Sequence, residues 1–523
     1  MLKKCMFFIL FSSACFADFA WSPPLDPPQV NTNIYGRVAV NDNMSIAVWQ
    51  SNDGAQDTVA AILSNDGGST WSGPITLSET GPGVNSRNPE VVMNVNNEIV
   101  VCWRKVDAAG NNIAQVNCSN DGGSTWTGPI TLNLLPSMAQ SVNVALSDLG
   151  VAVCVWHNNI PGPTWVVEAS LTENIMSWPA PLPFPGNAIS NPASNCTNAD
   201  VCISSSGIGN YFALCGWSNT STGFVETTVY SKAAPPPHWL GIVPHGAPTG
   251  SYAHVAISNS NNMVFMWSDN STGLNAINTS ISSNGTVWLP IGIISNPAES
   301  VGLSSALSTI NSSGQVIATW YRGPIMTQTI QVSYSTDNGN TWFSYFDVSN
   351  PNPITLYPKV ALNDAGEAVC VFQSGFSSTV HTVTSLDGGA NWLPQIDLSA
   401  VGGGSTAAVD IAPNGNTVAI WHDSTGLIQL AYSPFSPFSL TYNKATTKLL
   451  LQRDHTNELI WSPISEAVIY KIYEDRPFQN LIYSGRDNYF VHHGQKKGEE
   501  KKYYFTWIKS DGTESAAEEV IIP

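Results

Sequence analysis

The sequence of 523 residues predicts an all-β protein, with a β-propeller followed by a β-sandwich. Three observations predict this fold class. Charged residues make up only 11% of the chain while Gly, Pro and Trp are frequent, which favours short strands and turns over amphipathic helices. A pattern of strands recurs along residues 21–442 at intervals of roughly 50 to 60 residues. From about residue 443 that pattern stops and a different alternation begins.

Residues 1–17 read as a secretory signal peptide. Lys3 and Lys4 precede an apolar stretch at 6–11, and small residues lead to a predicted cleavage after Ala17. The stretch is too short to span a membrane, and no other segment is apolar for long enough. Cys15 in "SSAC" leaves a lipid anchor as the less favoured alternative. We therefore expect an exported protein that is periplasmic, on the outer surface or secreted, without a transmembrane segment.

The repeat predicts eight blades of four strands each over 21–442, with seven as the alternative count. First strands such as "RVAVN" begin at 37, 90, 142, 201, 254, 305, 359 and 409. Second strands end in an aromatic residue at Trp49, Trp103, Trp156, Trp217, Trp267, Trp320, Phe372 and Trp421. The last unit lacks the Trp that opens the fourth strand, whereas "WSPPLDPPQVN" from Trp21 aligns with "WSGPITL" from Trp71. We expect this N-terminal strand to complete the last blade and to close the ring.

The segment "SNDGGSTW" occurs at 64–71 and 119–126, with related copies at 335–342 and 385–392. It falls in the turn between the third and fourth strands, where Asp accepts backbone hydrogen bonds, Gly adopts unusual φ angles and Trp packs between blades. Because identical copies in separate blades cannot share one pocket, we interpret them as structural. The residues concerned are Asp66, Asp121, Asp337 and Asp387 with Trp71, Trp126, Trp342 and Trp392.

This turn resembles the Asp box of the sialidase and neuraminidase superfamily, and the resemblance covers nearly all of 21–442. It implies a propeller in which three arginines bind the carboxylate of sialic acid, a tyrosine paired with a glutamate is the nucleophile, and an aspartate is the acid/base. The family's "[FY]-R-I-P" motif corresponds to "YGRVAV", where Gly36 intrudes and the proline is absent. Such sialidases usually have six blades, so eight would disturb the site geometry.

Carried onto this chain, the resemblance implies Arg37 and Arg322 as carboxylate clamps, with Arg104 less convincing. Asp53 or Asp57 would be the acid/base. Tyr321 and Tyr357, with Tyr252, are nucleophile candidates, and Glu226 is a possible partner. No local motif selects among them.

Six of the seven basic residues of 18–442 fall on the loop face opposite the Asp boxes, whereas the chain as a whole has a net charge of −18. Such a cluster suits an acidic sugar. The expected ligand-binding residues are Arg37, Arg87, Arg104, Arg322, Lys359, His157 and His422. The alternative is that these are solvated loop charges paired with neighbours such as Asp53, Asp57 and Asp107.

Seven cysteines follow the signal, and two disulfides stay open as alternatives: Cys196 with Cys202, and Cys102 with Cys118. No spacing indicates a zinc site or another cofactor. The acidic balance makes nucleic acid an unfavourable partner. Residues 443–523 resemble a fibronectin type III domain through Trp461, Tyr470, Tyr473, Tyr504 and "SDGTES", and such a domain usually spaces or docks modules.

Three functions follow as hypotheses. The preferred one is an exported propeller that binds glycans or surface proteins without catalysis. The second is an exo-glycosidase acting on sialylated or other acidic glycans. The third is an envelope structural protein. Arginines converging with a tyrosine and a glutamate would favour the enzyme, scattered arginines around an aromatic-lined mouth would favour glycan binding, and a mouth filled by apolar loops would favour the structural protein.

Overall fold

The computed structural model describes residues 21–27, 32–159, 164–182, 187–207, 209–236, 238–302, 307–323, 328–350, 355–375, 378–433, 440–448, 453–461, 467–485, 489–496, 499–509, 514 and 517–522. The predicted signal peptide at 1–17, with Cys15, lies outside these residues. The chain divides into a first unit, Trp21–Pro434, and a second unit that begins at Phe435, eight residues before the expected boundary at 443.

The first unit consists of consecutive antiparallel sheets, each with its strands in sequence order. Sheet 1 contains β1 (Thr32–Val40), β2 (Ser45–Asn52), β3 (Asp57–Ser64) and β4 (Ile75–Thr76); sheet 2 contains β5 (Asn85–Met93), β6 (Ile99–Val106), β7 (Asn112–Ser119) and β8 (Ile130–Thr131); sheet 3 contains β9 (Gln140–Leu146), β10 (Ala152–Asn158) and β11 (Val166–Thr172); sheet 4 contains β12 (Cys196–Ile203), β13 (Phe212–Asn219), β14 (Val225–Ser231) and β15 (Val243–His245).

The second half of the unit repeats the arrangement. Sheet 5 contains β16 (Gly250–Ile257), β17 (Met263–Asp269), β18 (Ala276–Ser282) and β19 (Leu289–Ile293); sheet 6 contains β20 (Leu307–Ile310), β21 (Val316–Arg322), β22 (Thr329–Ser335) and β23 (Phe346–Asp347); sheet 7 contains β24 (Thr355–Leu362), β25 (Ala368–Ser374), β26 (Thr379–Ser385) and β27 (Ile396–Asp397); sheet 8 contains β28 (Ser405–Ile411), β29 (Thr417–His422) and β30 (Ile428–Ser433). All the sheets are antiparallel, and every element of the described residues is a β-strand, so the all-β expectation is confirmed.

Second strands are apolar along nearly their whole length because neighbouring sheets cover both of their faces. In β10, for example, all seven residues are buried, from Ala152 to Asn158. A strand covered on both faces reads as a continuous apolar run instead of an alternating one. The buried aromatic residues at the ends of these strands, such as Trp156 and Trp217, join one sheet to the next.

The first strands of successive sheets contact one another in order, and β28 of sheet 8 contacts β1 of sheet 1. At this last contact the backbone N–H of Val40 donates to Asp410 Oδ2 at 2.8 Å. One buried cluster also joins Val38 and Ala47 to Ile420 and Leu430. This order of contacts is typical of a β-propeller.

The N-terminal residues pair with the last strand of sheet 8. The backbone N–H of Leu25 donates to the carbonyl of Leu430 at 2.7 Å, and the reverse bond measures 3.0 Å. The N–H of Ser22 donates to the Tyr432 carbonyl at 2.8 Å. Because these bonds use the outer edge of β30, the segment from Trp21 occupies the place of a fourth strand in sheet 8.

Asparagine side chains link the turns between first and second strands of adjacent sheets. Asn41 Nδ2 donates to the Asn94 carbonyl at 3.1 Å, and Asn94 Nδ2 donates to the Ser147 carbonyl at 3.0 Å. Asn363 Nδ2 reaches the Ala412 carbonyl at 3.2 Å. Asn414 Nδ2 then reaches the Asp42 carbonyl at 2.8 Å, which joins sheet 8 to sheet 1.

The "SNDGGSTW" turns lie at the same end as those asparagines, since the N–H of Gly122 donates to the Asn97 carbonyl at 3.2 Å. Within the turn, Asp121 accepts from the Ser119 hydroxyl at 2.8 Å and from the backbone and hydroxyl of Thr125 at 2.8 and 2.6 Å. The Thr125 bonds hold the pKa of Asp121 below its ordinary value. The same bonds recur at Asp66 and Asp337, and Asn391 replaces the threonine at Asp387.

The seven cysteines of the described residues all carry free thiols, so neither open disulfide is formed. Cys102 lies opposite Val116 on β7, while Cys118 lies opposite Val100 and accepts a hydrogen bond from Trp178. Cys196 and Cys202 occupy the two ends of the same strand, β12. Six steps along an extended strand separate the two cysteines far more than a disulfide spans.

The second unit consists of two antiparallel sheets. One contains β31 (Leu440–Lys448), β32 (Arg453–Trp461) and β35 (Tyr489–His492); the other contains β34 (Leu481–Gly485), β33 (Ala467–Glu474), β36 (Lys501–Lys509) and β37 (Glu518–Ile522). Trp461 packs edge-on against Tyr470 and Phe505 in a core that both sheets supply. The unit is a small two-sheet sandwich.

Candidate functional site

The first strand of every sheet except sheet 6 carries a one-residue bulge near its start. At each bulge one non-glycine residue has a φ between 48° and 55°. We call this set the bulge layer: Tyr35, Asn88, Ser141, Asn198, Tyr252, Tyr357 and Thr406. In sheet 6 the corresponding residues are not described. Because first strands run towards the "SNDGGSTW" turns, the bulge layer lies at the opposite end of the unit.

The bulge accommodates the aromatic residue of the second strand. In sheet 1 Ile34 pairs with Gln50 and Arg37 with Val48, so two residues of β1 stand opposite Trp49. The second bulge residue is buried in all seven sheets and is small or proline in six of them, as in Gly36, Pro89 and Pro358, with Val142 in sheet 3. A Cβ on Gly36 would approach Ile420 to 2.9 Å. Each bulge therefore turns one side chain outward and presses its neighbour against the adjacent sheet.

Two residues after the bulge position comes a half-buried polar side chain in six of the seven sheets, and these form what we call the inner row; in sheet 8 the residue is Ala408. Its described members are Arg37, Glu90, Asn143, Asp200, His254 and Lys359. Most of them bond to the next sheet. Arg37 Nε donates to both carboxylate oxygens of Glu90 at 2.8 and 2.9 Å, and His254 Nδ1 lies 3.5 Å from Asp200 Oδ2.

Lys359 is the exception, because no hydrogen bond or ion pair of its ammonium group is found among the described residues. The corresponding residue of the next sheet is Ala408, which offers no partner. Burial and the positive charge of Arg37 lower the pKa of Lys359, while Glu90 and Asp200 act in the opposite direction. Among the described members of the inner row, Lys359 is thus a cation without a direct ion pair, and Glu90 and Asp200 act on it without a bond.

Arg104 is a second cation without a direct ion pair in the described residues. It lies opposite Arg87 on the sheet 2 ladder, and its Nε is buried with no hydrogen-bond partner in the described part of the chain. Burial lowers the pKa of Arg104, as does the charge of Arg87, whereas Tyr35 raises it. Arg87 itself donates from Nε to Asp57 at 2.6 Å. One of the two adjacent arginines is neutralised and the other is not.

His157 adjoins this arginine on sheet 3. Burial and the nearby charge of Arg104 lower its pKa to about 4, so the imidazole is neutral at physiological pH. Its Nδ1 is buried and has no partner among the described residues, and its ring contacts Trp165 edge-on at 5.2 Å. Arg104 and His157 thus present two unsatisfied polar groups, and Arg104 interacts electrostatically with His157 and with Tyr35.

The remaining predicted ligand-binding residues are satisfied by the protein. Arg322 donates to Asp347 and pairs with Glu299, both at 2.8 Å, and these bonds raise its pKa. His422 lies 2.7 Å from the Ser405 hydroxyl and 2.8 Å from the Thr406 hydroxyl. Both side chains therefore already have partners within the protein, unlike Arg104 Nε.

The residues that the family resemblance proposed as catalytic are not brought together. Asp53 is exposed and accepts turn hydrogen bonds from Ala55 and Gln56, which lower its pKa. Asp57 is buried; desolvation raises its pKa, but bonds from Asn52 and Arg87 outweigh that effect and lower it. A general acid must hold a proton near neutral pH, so neither carboxyl group suits that role.

Glu226, the proposed partner of the nucleophile, is buried between strands of sheet 4. Its carboxylate accepts from Trp217 Nε1 and Asn219 Nδ2, each at 2.8 Å. Glu168 does the same for Trp156, and Gln331 and Gln429 do so for Trp320 and Trp421. This repeated bond satisfies the indole of the second strand.

The tyrosine candidates are on separate sheets. The Tyr321 ring lies against the backbone of Gly302, where an added Cβ would be 1.9 Å away. Tyr357 is exposed by 51% in sheet 7, and Tyr252 is half-buried in sheet 5. Tyr35, which sequence reasoning did not select, interacts electrostatically with both Arg37 and Arg104. The sequence feature that could have indicated Tyr35 is a tyrosine two residues before a cation, which it shares with Tyr357.

Within the described residues no group of three or more His, Cys, Asp or Glu side chains could hold a metal ion. In that same part of the chain, no helix has the length and apolarity required to cross a membrane.

No family model and no curated protein matches the chain. Among solved structures, it is similar to an α-L-arabinanase of Penicillium chrysogenum in complex with arabinobiose, at 12% identity and a TM-score of 0.41 over 70% of this chain and 98% of the other. An ulvan lyase aligns at 13% identity and a TM-score of 0.42 over 78% and 92%. A Hadza microbial sialidase aligns at 11% and 0.35 over 77% and 66%. All three scores are below 0.5, so the proposals rest on the residues of this chain.

Proposed function

We propose that the protein is exported and that its first unit is an eight-bladed, sialidase-like propeller, closed by the N-terminal strand, that binds glycans through the bulge layer without catalysis. The second unit is a fibronectin type III-like module. One observation carries the binding proposal: the Nε of Arg104 is buried and unpartnered, and the arginine is near enough to Tyr35 and to His157, whose Nδ1 is also unpartnered, to interact electrostatically with both. Sugar sites combine an aromatic face with a few convergent polar groups.

The described bulge layer favours glycan binding over the other two hypotheses. Its side chains are tyrosines, asparagines and hydroxyls, which suit sugar rings and hydroxyl groups, and none is aliphatic. A mouth filled by apolar loops would have favoured a structural protein. Since the candidate acid, nucleophile and partner are separated and satisfied elsewhere, the arrangement does not favour hydrolysis.

The proposal is tested on the full-length mature protein with a glycan array, using Arg104→Gln and Lys232→Gln variants. Lys232 pairs with Glu173 and belongs to the sheet 4 turn at the opposite end, so it is a matched loss of one charge. We expect wild type and Lys232→Gln to bind the same glycans, and Arg104→Gln to bind about tenfold more weakly through loss of a charge-assisted bond. Unchanged binding by Arg104→Gln, or an array without any hit, would overturn the proposal.

A fluorogenic sialoside assay on the same preparation separates binding from catalysis. We expect no turnover above a heat-denatured control. Turnover that is abolished by Arg37→Ala would instead establish the glycosidase alternative.

A further inference from the structure

Two copies of one local motif stand out in the bulge layer. Tyr35-Gly36-Arg37 in sheet 1 and Tyr357-Pro358-Lys359 in sheet 7 have the same bulge, with a φ of 55° at each tyrosine. The tyrosines are exposed by 38% and 51%, and the cation two residues on is half-buried in the inner row. Each copy therefore places an exposed tyrosine two residues before a half-buried cation.

Sheet 8, between these two copies, interrupts the pattern. Its equivalent residues are Thr406, Ala407 and Ala408, which are small and uncharged. The two exposed tyrosines are thus separated by sheet 8, although the charge of Arg37 still acts on Lys359.

Each place has a cation without a direct ion pair in the described residues. Near Tyr35 it is Arg104, because Glu90 pairs with Arg37 and Asp57 pairs with Arg87. In the copy with Tyr357 it is Lys359, whose neighbour Ala408 offers no partner and on which Glu90 and Asp200 act without a bond. In the order of sheet contacts, Arg104 of sheet 2 and Lys359 of sheet 7 are separated by sheets 1 and 8. The charges of Arg87 and Tyr35 act on Arg104, whereas Arg37, Glu90 and Asp200 act on Lys359, so the two cations have different surroundings.

Tyr252 adds a third aromatic residue at the same bulge position in sheet 5, next to the His254–Asp200 pair. Between the tyrosines, Asn88, Ser141 and Asn198 offer amides and a hydroxyl. Aromatic faces at several sheets, with hydrogen-bonding groups between them, suit a ligand that spans several sugar units.

We infer that the ligand of the bulge layer is an internal stretch of an acidic polysaccharide, with negative charges on at least two sugar units, and not a single terminal acidic sugar. This inference rests on the proposed function, because it names the class of glycan that the same surface takes. One charged unit would stack near Tyr35 with its anion on Arg104, and a second near Tyr357 with its anion on Lys359.

The experiment is isothermal titration of the full-length protein with galacturonate oligomers of one, two, four and six units. A sialyllactose, a sulfated oligosaccharide and a neutral glucan hexamer serve as comparisons. We expect affinity to rise at least tenfold from the shortest to the longest uronate or sulfated chain, with no binding of the neutral chain. Raised salt should weaken binding because charged contacts are screened.

Variants test whether the ligand contacts the protein at two separate places, one near Tyr35 and one near Tyr357. Tyr357→Asn removes the ring but keeps the backbone, since Asn occupies this position in sheets 2 and 4 and tolerates positive φ. Together with Lys359→Met it should lower affinity for the six-unit chain about tenfold and leave the two-unit chain unchanged. Arg104→Gln should weaken both, and a thermal melt of each variant checks folding.

The outcomes are distinguishable. Sialyllactose that binds as tightly as any oligomer, with Tyr357→Asn and Lys359→Met indistinguishable from wild type, would overturn this inference while the proposed glycan binding stands. Failure of every glycan to bind would overturn both. Tighter binding of the sulfated chain than of the uronate would retain the inference and assign the charge to sulfate.

Discussion

The two ends of the first unit have repeated backbones but differ in their side chains. At the "SNDGGSTW" end, four serines accept a bond from a glycine N–H at 2.8 to 2.9 Å, and four tryptophans donate to that glycine's carbonyl at 2.9 to 3.0 Å. At the bulge end the φ angle repeats equally well, whereas the side chain changes from Tyr to Asn, Ser or Thr. Repeated side-chain chemistry therefore marks the scaffold, and varied side chains on a repeated backbone mark the candidate site.

The two ends also differ in which of their buried polar groups have hydrogen-bond partners. The Asp and Ser groups of the "SNDGGSTW" turns are saturated with local bonds, although Ser45 Oγ, His238 Nδ1 and Ser433 Oγ at the same end are buried without a hydrogen-bond partner among the described residues. The bulge end differs because one of its unpartnered groups, Arg104 Nε, belongs to a cation, and it lies in the same part of the fold as the unpartnered His157 Nδ1. A buried charge without a partner costs more than a buried hydroxyl group, so a ligand explains Arg104 better than folding does. Four predictions test this contrast, from the largest effect to the smallest.

The largest effect is expected at Glu367, which lies at the turn end in the loop between β24 and β25. Burial raises its pKa to about 7, although Asn363 donates to it at 2.7 Å. The unfolded chain ionises near 4.5 while the folded protein stays protonated, so stability falls as pH rises from about 4.5 to 7. Glu367→Gln should therefore add about 3 kcal/mol to the free energy of unfolding at pH 8 and little at pH 4.5.

Gln315 holds the equivalent place in sheet 6, where it accepts from Asn311 at 2.7 Å, so glutamine fits this turn. The measurement is urea denaturation of the first unit in the full-length protein at both pH values. An equal gain at pH 4.5 and pH 8 would show that ionisation is not the cause.

The two adjacent arginines should behave oppositely. Arg87→Gln leaves the buried Asp57 without its charged partner and should cost about 2 kcal/mol of unfolding free energy. Arg104→Gln removes a cation that burial and Arg87 disfavour, so stability should stay equal or rise while glycan binding weakens. Denaturation curves of the two variants and of wild type measure the difference in unfolding free energy. A similar loss of stability in both variants would mean that Arg104 is structural.

At the turn end, Ser119→Ala should cost about 1 to 2 kcal/mol, because the buried N–H of Gly123 loses its acceptor at 2.8 Å. Glycan binding should be unchanged. The neighbouring exposed Ser124→Ala is the control, since its hydroxyl only caps the Asp121 carbonyl at 3.0 Å. Loss of binding without loss of stability would contradict the division of roles between the ends.

The smallest effect is expected for Glu226→Gln, within about 0.5 kcal/mol of wild type. Gln331 and Gln429 already serve as acceptors for tryptophans in sheets 6 and 8. The change should leave glycan binding unaltered in a titration. A catalytic role for Glu226 would instead appear as loss of any sialoside turnover.

The sequence alone determined the all-β class, and its repeat matched the strand order of the sheets, because these depend on local turn chemistry and on apolar residues that recur at fixed spacing. The segment from Trp21 likewise lies beside β30, where its similarity to the sequence from Trp71 put it. The division of loops into two ends needed only the direction in which successive antiparallel strands run.

The tertiary structure decided which of the predicted residues remain free. A bulge adds one residue to a strand, and nothing local in "YGRVAV" shows which side chain it turns outward. Whether a charge is paired depends on the adjacent sheet: Arg37 faces Glu90, from a segment 53 residues away, whereas the residue next to Lys359 is Ala408. Burial between sheets likewise made Glu226 a partner of Trp217. Such contacts join residues from different repeats, so no single repeat encodes them.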